Sequence, residues 1–202
     1  IIDEAMHEMP SGALNGLTLN EYEKQLKEAE EIDEIEQNEK QSTAHLNKKD
    51  CDLFYKLYLA LLEYTNNTYH VNPSLKQIYK AKNINAELVV PIAEYLWSNK
   101  HIIDEFITKN PYEFNRTELK ILTEFKKGIR NMFIIAKFET NYTIFIDEMG
   151  ENVYKIKGLF SNIDEIIPSE DLPIYAKTTI LPFKGYIIYD EVLGSMPINL
   201  GL

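Results

Sequence analysis

The hydrophobic period changes once along this chain, at Gly128, and that single change restricts the folds open to it. Before Gly128 apolar residues recur at spacings of three and four; after it they alternate in short β-branched and aromatic runs. The first spacing lines up side chains on one stripe of a helix, and the second places them on one face of a strand. Helices followed by strands exclude a doubly wound sheet. They predict an α+β chain, with a helical N-terminal part followed by a five-stranded antiparallel sheet or small barrel.

The helical half reads as five helices. In the first, Asp50 can cap, and Leu53, Phe54, Leu57, Tyr58, Leu61 and Leu62 share one face before the polar Asn66-Asn67-Thr68. A second, short helix is expected over 72–82, with Pro73 in the first turn, where its missing N–H costs nothing. Asn85 caps a third through Trp97, in which Pro91 marks a kink or the true start. A fourth spans 100–109. The fifth spans 116–129 behind a capping box of Asn115 and Glu118, and buries Leu119, Leu122, Phe125 and Ile129.

Strands are expected over 131–139, 142–147 and 152–158 as an antiparallel meander, with turns at Thr140-Asn141 and at Glu148-Met149-Gly150-Glu151. Ser161 can cap one helical turn through Ile166. A hairpin over 175–183 and 186–192 then turns at Lys184-Gly185.

Charge divides the chain differently. Residues 1–50 hold 13 acidic and 5 basic side chains, leaving 19 and 16 for the rest, so most of the net charge of -11 sits at the front. Residues 20–41 read as an exposed acidic helix with a narrow stripe of Leu26, Ala29, Ile32 and Ile35, followed by a polar linker over 37–49. The organisation is therefore an acidic helical extension and linker (1–49), a helical subdomain (50–130) and an antiparallel β subdomain (131–202). The chain begins at Ile1 without a methionine and ends on Asn199-Leu200-Gly201-Leu202 without a closing element, which reads as a piece of a longer polypeptide.

The acidic balance is opposite to the footprint of a general nucleic-acid or anionic-membrane binder. No run approaches the roughly 18 apolar residues of a membrane span, and Ile1-Ile2-Asp3-Glu4 lacks the basic start of a signal peptide. A single cysteine, Cys51, excludes an internal disulfide and a multi-cysteine zinc site, so a cytoplasmic setting is expected. The eight glycines are scattered and form no phosphate-binding loop, so no nucleotide is expected.

Catalytic candidates are sparse. Cys51 at a helix start has some thiolate bias, but its nearest histidine in sequence, His45, falls in the linker. Gly194-Ser195-Met196 lacks the nucleophile-elbow pattern, which makes Ser195 a turn residue. Glu4-x-x-His7 and His101-x-x-Asp104-Glu105 carry the histidine–carboxylate spacing of dinuclear metal sites, but on short or peripheral segments without further inward carboxylates. No metal or cofactor is therefore assigned. His70 reads as a hydrogen-bonded loop histidine. Asp147-Glu148 and Asp190-Glu191 read as turn caps, because neighbours on a strand face opposite ways and make no acid/base dyad.

Phe133, Phe138, Tyr142, Phe145, Tyr154, Tyr186 and Tyr189 could form a base-stacking platform. The stronger reading makes them core and cross-strand pairs, since Lys137, Lys155, Lys157, Lys177 and Lys184 have acids nearby. Sequons at Asn66, Asn115 and Asn141 carry no weight without a signal peptide.

Tyr154-Lys155-Ile156-Lys157-Gly158-Leu159, Leu172-Pro173 and the run Leu181-Pro182-Phe183-Lys184-Gly185 to Ile187-Ile188-Tyr189-Asp190, after a helix bearing Leu96-Trp97, resemble a group of bacterial cytoplasmic proteins of no established activity. Some members of that group accompany SEC-C-type modules. The resemblance covers about residues 50–195 and implies a bacterial origin; it carries over no catalytic residue, and the cysteine cluster of a SEC-C zinc module is missing here.

The sequence thus points to a non-catalytic protein-interaction or regulatory module with a protein partner. The alternative is a hydrolase or metal-dependent enzyme with a dispersed site using His70, His101 or nearby acids, and nucleic-acid contact through the aromatic strands ranks third.

Overall fold

The computed structural model describes residues 43–81, 85–191 and 194–197, which belong to one compact unit beginning at Thr43. The acidic helix expected over 20–41 and the Glu4/His7 pair lie outside the described residues.

Four α-helices are present among the described residues: α1 (Lys48–Tyr69), α2 (Ala86–Ser98), α3 (His101–Lys109) and α4 (Arg116–Phe125). The cap of α1 is Asn47 rather than Asp50: its side-chain oxygen accepts the Asp50 N–H at 2.9 Å, and Asp50 turns inward to pair with Lys184. Asn85 caps α2, with Pro91 inside the helix, and α4 opens with the expected Asn115/Glu118 box. It stops at Phe125, short of the expected 129, and strand geometry begins at Ile129.

Among the described residues 72–81 there is no helix where one is expected over 72–82. Two side chains of α1 take over the hydrogen bonds its backbone would have made. Asn66 receives the Asn72 N–H at 2.7 Å and donates to the carbonyls of Asn72 and Leu75, at 3.1 and 2.6 Å. Glu63 accepts the N–H groups of Ile78 and Tyr79 at 2.8 and 2.9 Å. Backbone groups satisfied this way have no need of a helix.

The strands are β1 (Ile129–Glu139), β2 (Tyr142–Asp147), β3 (Val153–Lys157), β4 (Ile174–Phe183), β5 (Tyr186–Tyr189) and β6 (Gly194–Pro197). Pairing runs β1-β2-β3-β5-β4 and returns from β4 to β1. Every pair is antiparallel except β3 with β5, which run parallel at Ile156–Ile187 and Lys157–Ile188. The sheet is therefore mixed, not purely antiparallel. The parallel pair follows from the chain crossing over the ring between β3 and β4 through two 3-10 turns, Ile163–Glu165 and Ser169–Asp171. β6 lies on the same edge of β4 as β5 and extends it past a break at Glu191, whose φ is +57°. Ser195 thus sits in a strand opposite Ala176, not in a turn.

Alternation along the strands divides the apolar residues into two cores. Phe133, Ile135, Phe145, Ile156, Ile174, Ala176, Ile180 and Tyr189 fill the inside of the ring. Leu181, Phe183 and Ile188 point the other way and pack with the helices, where the Phe183 ring meets Phe54 edge-on at 5.7 Å. β4 and β5 are thus a wall shared by both cores.

The chain enters the unit along β3. His45 forms a parallel bridge with Gly158, the Gly158 N–H donates to Ala44 at 2.7 Å, and the Leu46 N–H donates back to Gly158 at 3.0 Å. A side chain at residue 158 would put its Cβ 2.0 Å from the Ser161 carbonyl oxygen. Gly158→Ala is therefore expected to destabilise the fold by about 3 kcal/mol, the upper end for overpacking. Gly150→Ala, at a turn with φ +73° and open space around it, should cost only about 1 kcal/mol. Urea denaturation of the two variants checks that order, and equal losses would refute it.

Candidate functional site

Asp190 is the polar centre of the unit. Its side chain is fully buried, and each oxygen is held by groups from different elements. Oδ1 accepts from the Thr178 hydroxyl at 3.1 Å and the Thr179 N–H at 3.3 Å; Oδ2 accepts from the Tyr58 hydroxyl at 2.9 Å. The Arg130 guanidinium lies 3.8 Å from Oδ2 and donates to the Thr179 hydroxyl at 3.2 Å. Trp97 completes the chain by donating its indole N–H to the Tyr58 oxygen at 3.3 Å. Burial and the Asp190 charge hold the Tyr58 hydroxyl well above its ordinary pKa, so it stays a neutral donor. These bonds hold both Asp190 oxygens and the Tyr58 hydroxyl internally, which is the character of a structural tie rather than of a poised acid or base.

Arg130 carries the network outward. Its other terminal nitrogen lies 3.5 Å from Glu94 of α2, which also pairs with Lys177 of β4 at 2.7 Å. The Lys177 hydrogen bond draws the Glu94 carboxyl below the usual range. Around this group lies a cavity of about 360 Å³ lined by Glu94, Trp97, Ser98, Lys100, Ile129, Arg130 and Lys177.

On the outer side of the sheet the register builds a second feature. Tyr175 faces Ile134, Ile134 faces Ile146, and Ile146 faces Val153, making one row across β4, β1, β2 and β3. Their neighbours Phe133, Ile135, Phe145 and Ala176 fill the interior, so the row points outward. Its members are half-buried or exposed, and Val153 is 63% exposed. One step along, Lys155 lies 4.8 Å over the Tyr142 ring, and at the opposite end of the row Lys177 follows Tyr175 on the same side of β4.

The residues singled out from sequence do not converge. His101 is exposed and lies 3.8 Å from Glu105. Glu105 accepts the Tyr69 hydroxyl, which with nearby Lys109 and His101 lowers its pKa, while Asp104 pairs with Lys126. His70 is the exposed left-handed cap of α1. His45 is tied to β3 rather than lying in a linker. Among the described residues no three His, Cys, Asp or Glu side chains gather as a metal site.

Cys51 has the opposite of the expected thiolate bias. It is fully buried, and desolvation, with the Glu191 and Asp52 charges, pushes its thiol up to about 12. Asp147 does cap its turn, accepting the Glu151 N–H at 2.8 Å and the Asn152 amide at 2.5 Å. Among the described residues Asp190 is the hub above, and Glu191 accepts the Tyr55 hydroxyl. Of the aromatics, Phe133, Phe145 and Tyr189 are buried inside the ring, and Phe138 and Tyr154 pack against that core. Lys184 pairs with Asp50 and Lys137 with Glu139, whereas the Lys157 ammonium donates to the Thr43 carbonyl and lies over the Tyr186 ring.

Asp190→Ala would leave the Tyr58 and Thr178 hydroxyls without this acceptor and Arg130 with Glu94 as its remaining ion pair, and should cost about 3–5 kcal/mol. Tyr58→Phe should cost about 1–2 kcal/mol, and the double variant less than the sum of the two, because they share one bond. Chemical denaturation of the cycle measures this coupling; strict additivity would show the bond contributes nothing. Burial raises the Glu191 carboxyl pKa, so its protonated form is favoured by folding. Its contribution is fully present below the unfolded carboxyl value of about 4.3 and fades as pH climbs through the raised folded value. Wild type should therefore lose stability relative to Glu191→Gln over that rise, as thermal melts across pH would show.

No protein-family model, no curated protein and no solved structure matches this chain.

Proposed function

We propose that this chain is a non-catalytic protein-interaction module that receives an extended segment of a partner protein on the outer face of its sheet. The observation that carries this reading is the in-register row Tyr175, Ile134, Ile146 and Val153, apolar side chains left on the outer surface across four strands. Contiguous apolar surface of this kind marks interaction sites. Lys155 and Lys177 fringe the row at its two ends, so the fitting partner carries apolar side chains flanked by carboxylates.

We read the closed sheet as a small Greek-key barrel whose strand order resembles that of the OB fold. Such barrels present the outer face of their second and third strands to ligands, an analogy of scaffold only. The acidic balance of the chain favours a protein over a nucleic acid. A reducing, cytoplasmic setting suits the single buried Cys51. Membership of the bacterial group with the LPFKG–IIYD hairpin belongs to this proposal too, supported by a tight hairpin at Lys184-Gly185, both at positive φ.

Selection of a random-peptide library on the immobilised protein tests the reading. Peptides with alternating apolar residues and flanking Asp or Glu should be enriched. Val153→Glu combined with Ile146→Thr should lower their affinity at least tenfold with little change in melting temperature. No enriched peptide, or peptides that bind the double variant equally well, would sink it.

A further inference from the structure

The cavity between α2, the start of α3, and the first residues of β1 carries more positive charge than its surroundings need. Its lining holds Lys100, Arg130 and Lys177 against one acid, Glu94. Counting Asp190 behind Arg130 still leaves one cation in excess, in a chain whose net charge is -11. That excess is Lys100, whose ammonium donates to the neutral Gly128 carbonyl at 2.6 Å and joins no ion pair among the described residues. The Arg130 side chain is about nine-tenths buried, and its Nε–H has no acceptor among the described residues. A buried donor without an acceptor is costly, and beside a lysine that joins no ion pair it points to an anion.

The cavity already contains one anionic group, and its chemistry is informative. The Glu94 carboxylate reaches in from α2, spans Arg130 and Lys177, and remains 43% exposed. The apolar lining is supplied by Trp97 and by Ile129, itself 41% exposed. A volume of about 360 Å³ is at the small end of the range for small-molecule sites, about 300–1,000 Å³. One surplus positive charge matches a monoanion better than a phosphate dianion, and an apolar lining beside the cations suits an acid with a short hydrocarbon body.

We propose that this cavity is a binding site for a small organic carboxylate. Lys100 and Lys177 hold the carboxylate, Trp97 and Ile129 cover its apolar body, and Glu94 is the resident counter-ion with which it shares Lys177. This assignment shares Lys177 with the outer sheet face but draws on Lys100 and Trp97, which the row does not include, so Lys100→Gln tests the cavity alone.

Trp97 is the single tryptophan of the chain, so its selectively excited fluorescence reports on this cavity and on the Tyr58 hydroxyl it donates to. Titration with acetate, butyrate, hexanoate, benzoate and inorganic phosphate at fixed low ionic strength, with chloride as the control salt, tests the proposal. Saturable quenching or shift is expected for the carboxylates, tightening from acetate to hexanoate. Lys100→Gln should weaken it at least tenfold, and Glu94→Gln should strengthen it several-fold. Lys177→Gln reads the same loss if Lys100→Gln fails to fold. A linear response equal to that of chloride, or an affinity unchanged in a folded Lys100→Gln or Lys177→Gln protein, overturns the site. Phosphate binding tighter than every carboxylate overturns the ligand class.

Discussion

A carboxylate taken out of water must be neutralised and fully hydrogen-bonded, or the fold loses several kcal/mol. Asp190 imposes that demand at the centre of this molecule. Its partners come from α1 through Tyr58, from β1 through Arg130 and from β4 through Thr178 and Thr179. No one of these elements can slide relative to the others without unmaking a bond to a buried charge. The register between helices and sheet is therefore set by polar geometry, while apolar packing, which is less particular about direction, supplies most of the favourable energy.

The apolar part is organised by β4 and β5. Ile180 and Tyr189 face the inside of the ring, whereas Leu181, Phe183 and Ile188 face Phe54 and the rest of the helical core. A strand buried on both faces gives a nearly continuous apolar run, and 180–183 is such a run in this sequence. β1 and β2 bury one face in the ring and leave the other half-buried or exposed. The Tyr175–Val153 row crosses the outer face of β4, β1, β2 and β3, and the charged cavity lies between α2 and the start of β1.

Much of this was legible from local pattern. Each of the first four strands begins and ends within two residues of its expected place, because alternation and turn residues such as Lys184-Gly185 act over a few positions. The Asn115/Glu118 box is equally local. What was not legible depended on residues far apart. The segment 72–82 has a good helix start, yet Asn66 and Glu63 bind its backbone in another shape. Asp190 beside Glu191 looks like a turn pair, and nothing nearby in sequence announces Tyr58, 132 positions away. The parallel β3–β5 pair is likewise invisible to hairpin rules, which describe only neighbours joined by short turns. For the cavity, the signal available was weak: Arg130 and Lys177 are cations on strands, ordinary until the pairing sets them beside Glu94.

The shared wall has a consequence for how such a chain can be divided in evolution. A break near Gly128, where the sequence changes period, looks like a natural seam between two inheritable pieces. Yet the helical piece alone would lose Leu181, Phe183 and Ile188 from its core, and the strands alone would expose those same side chains. Shuffling of gene segments at that seam would produce two sticky halves, so the helices and strands travel together as one indivisible cassette.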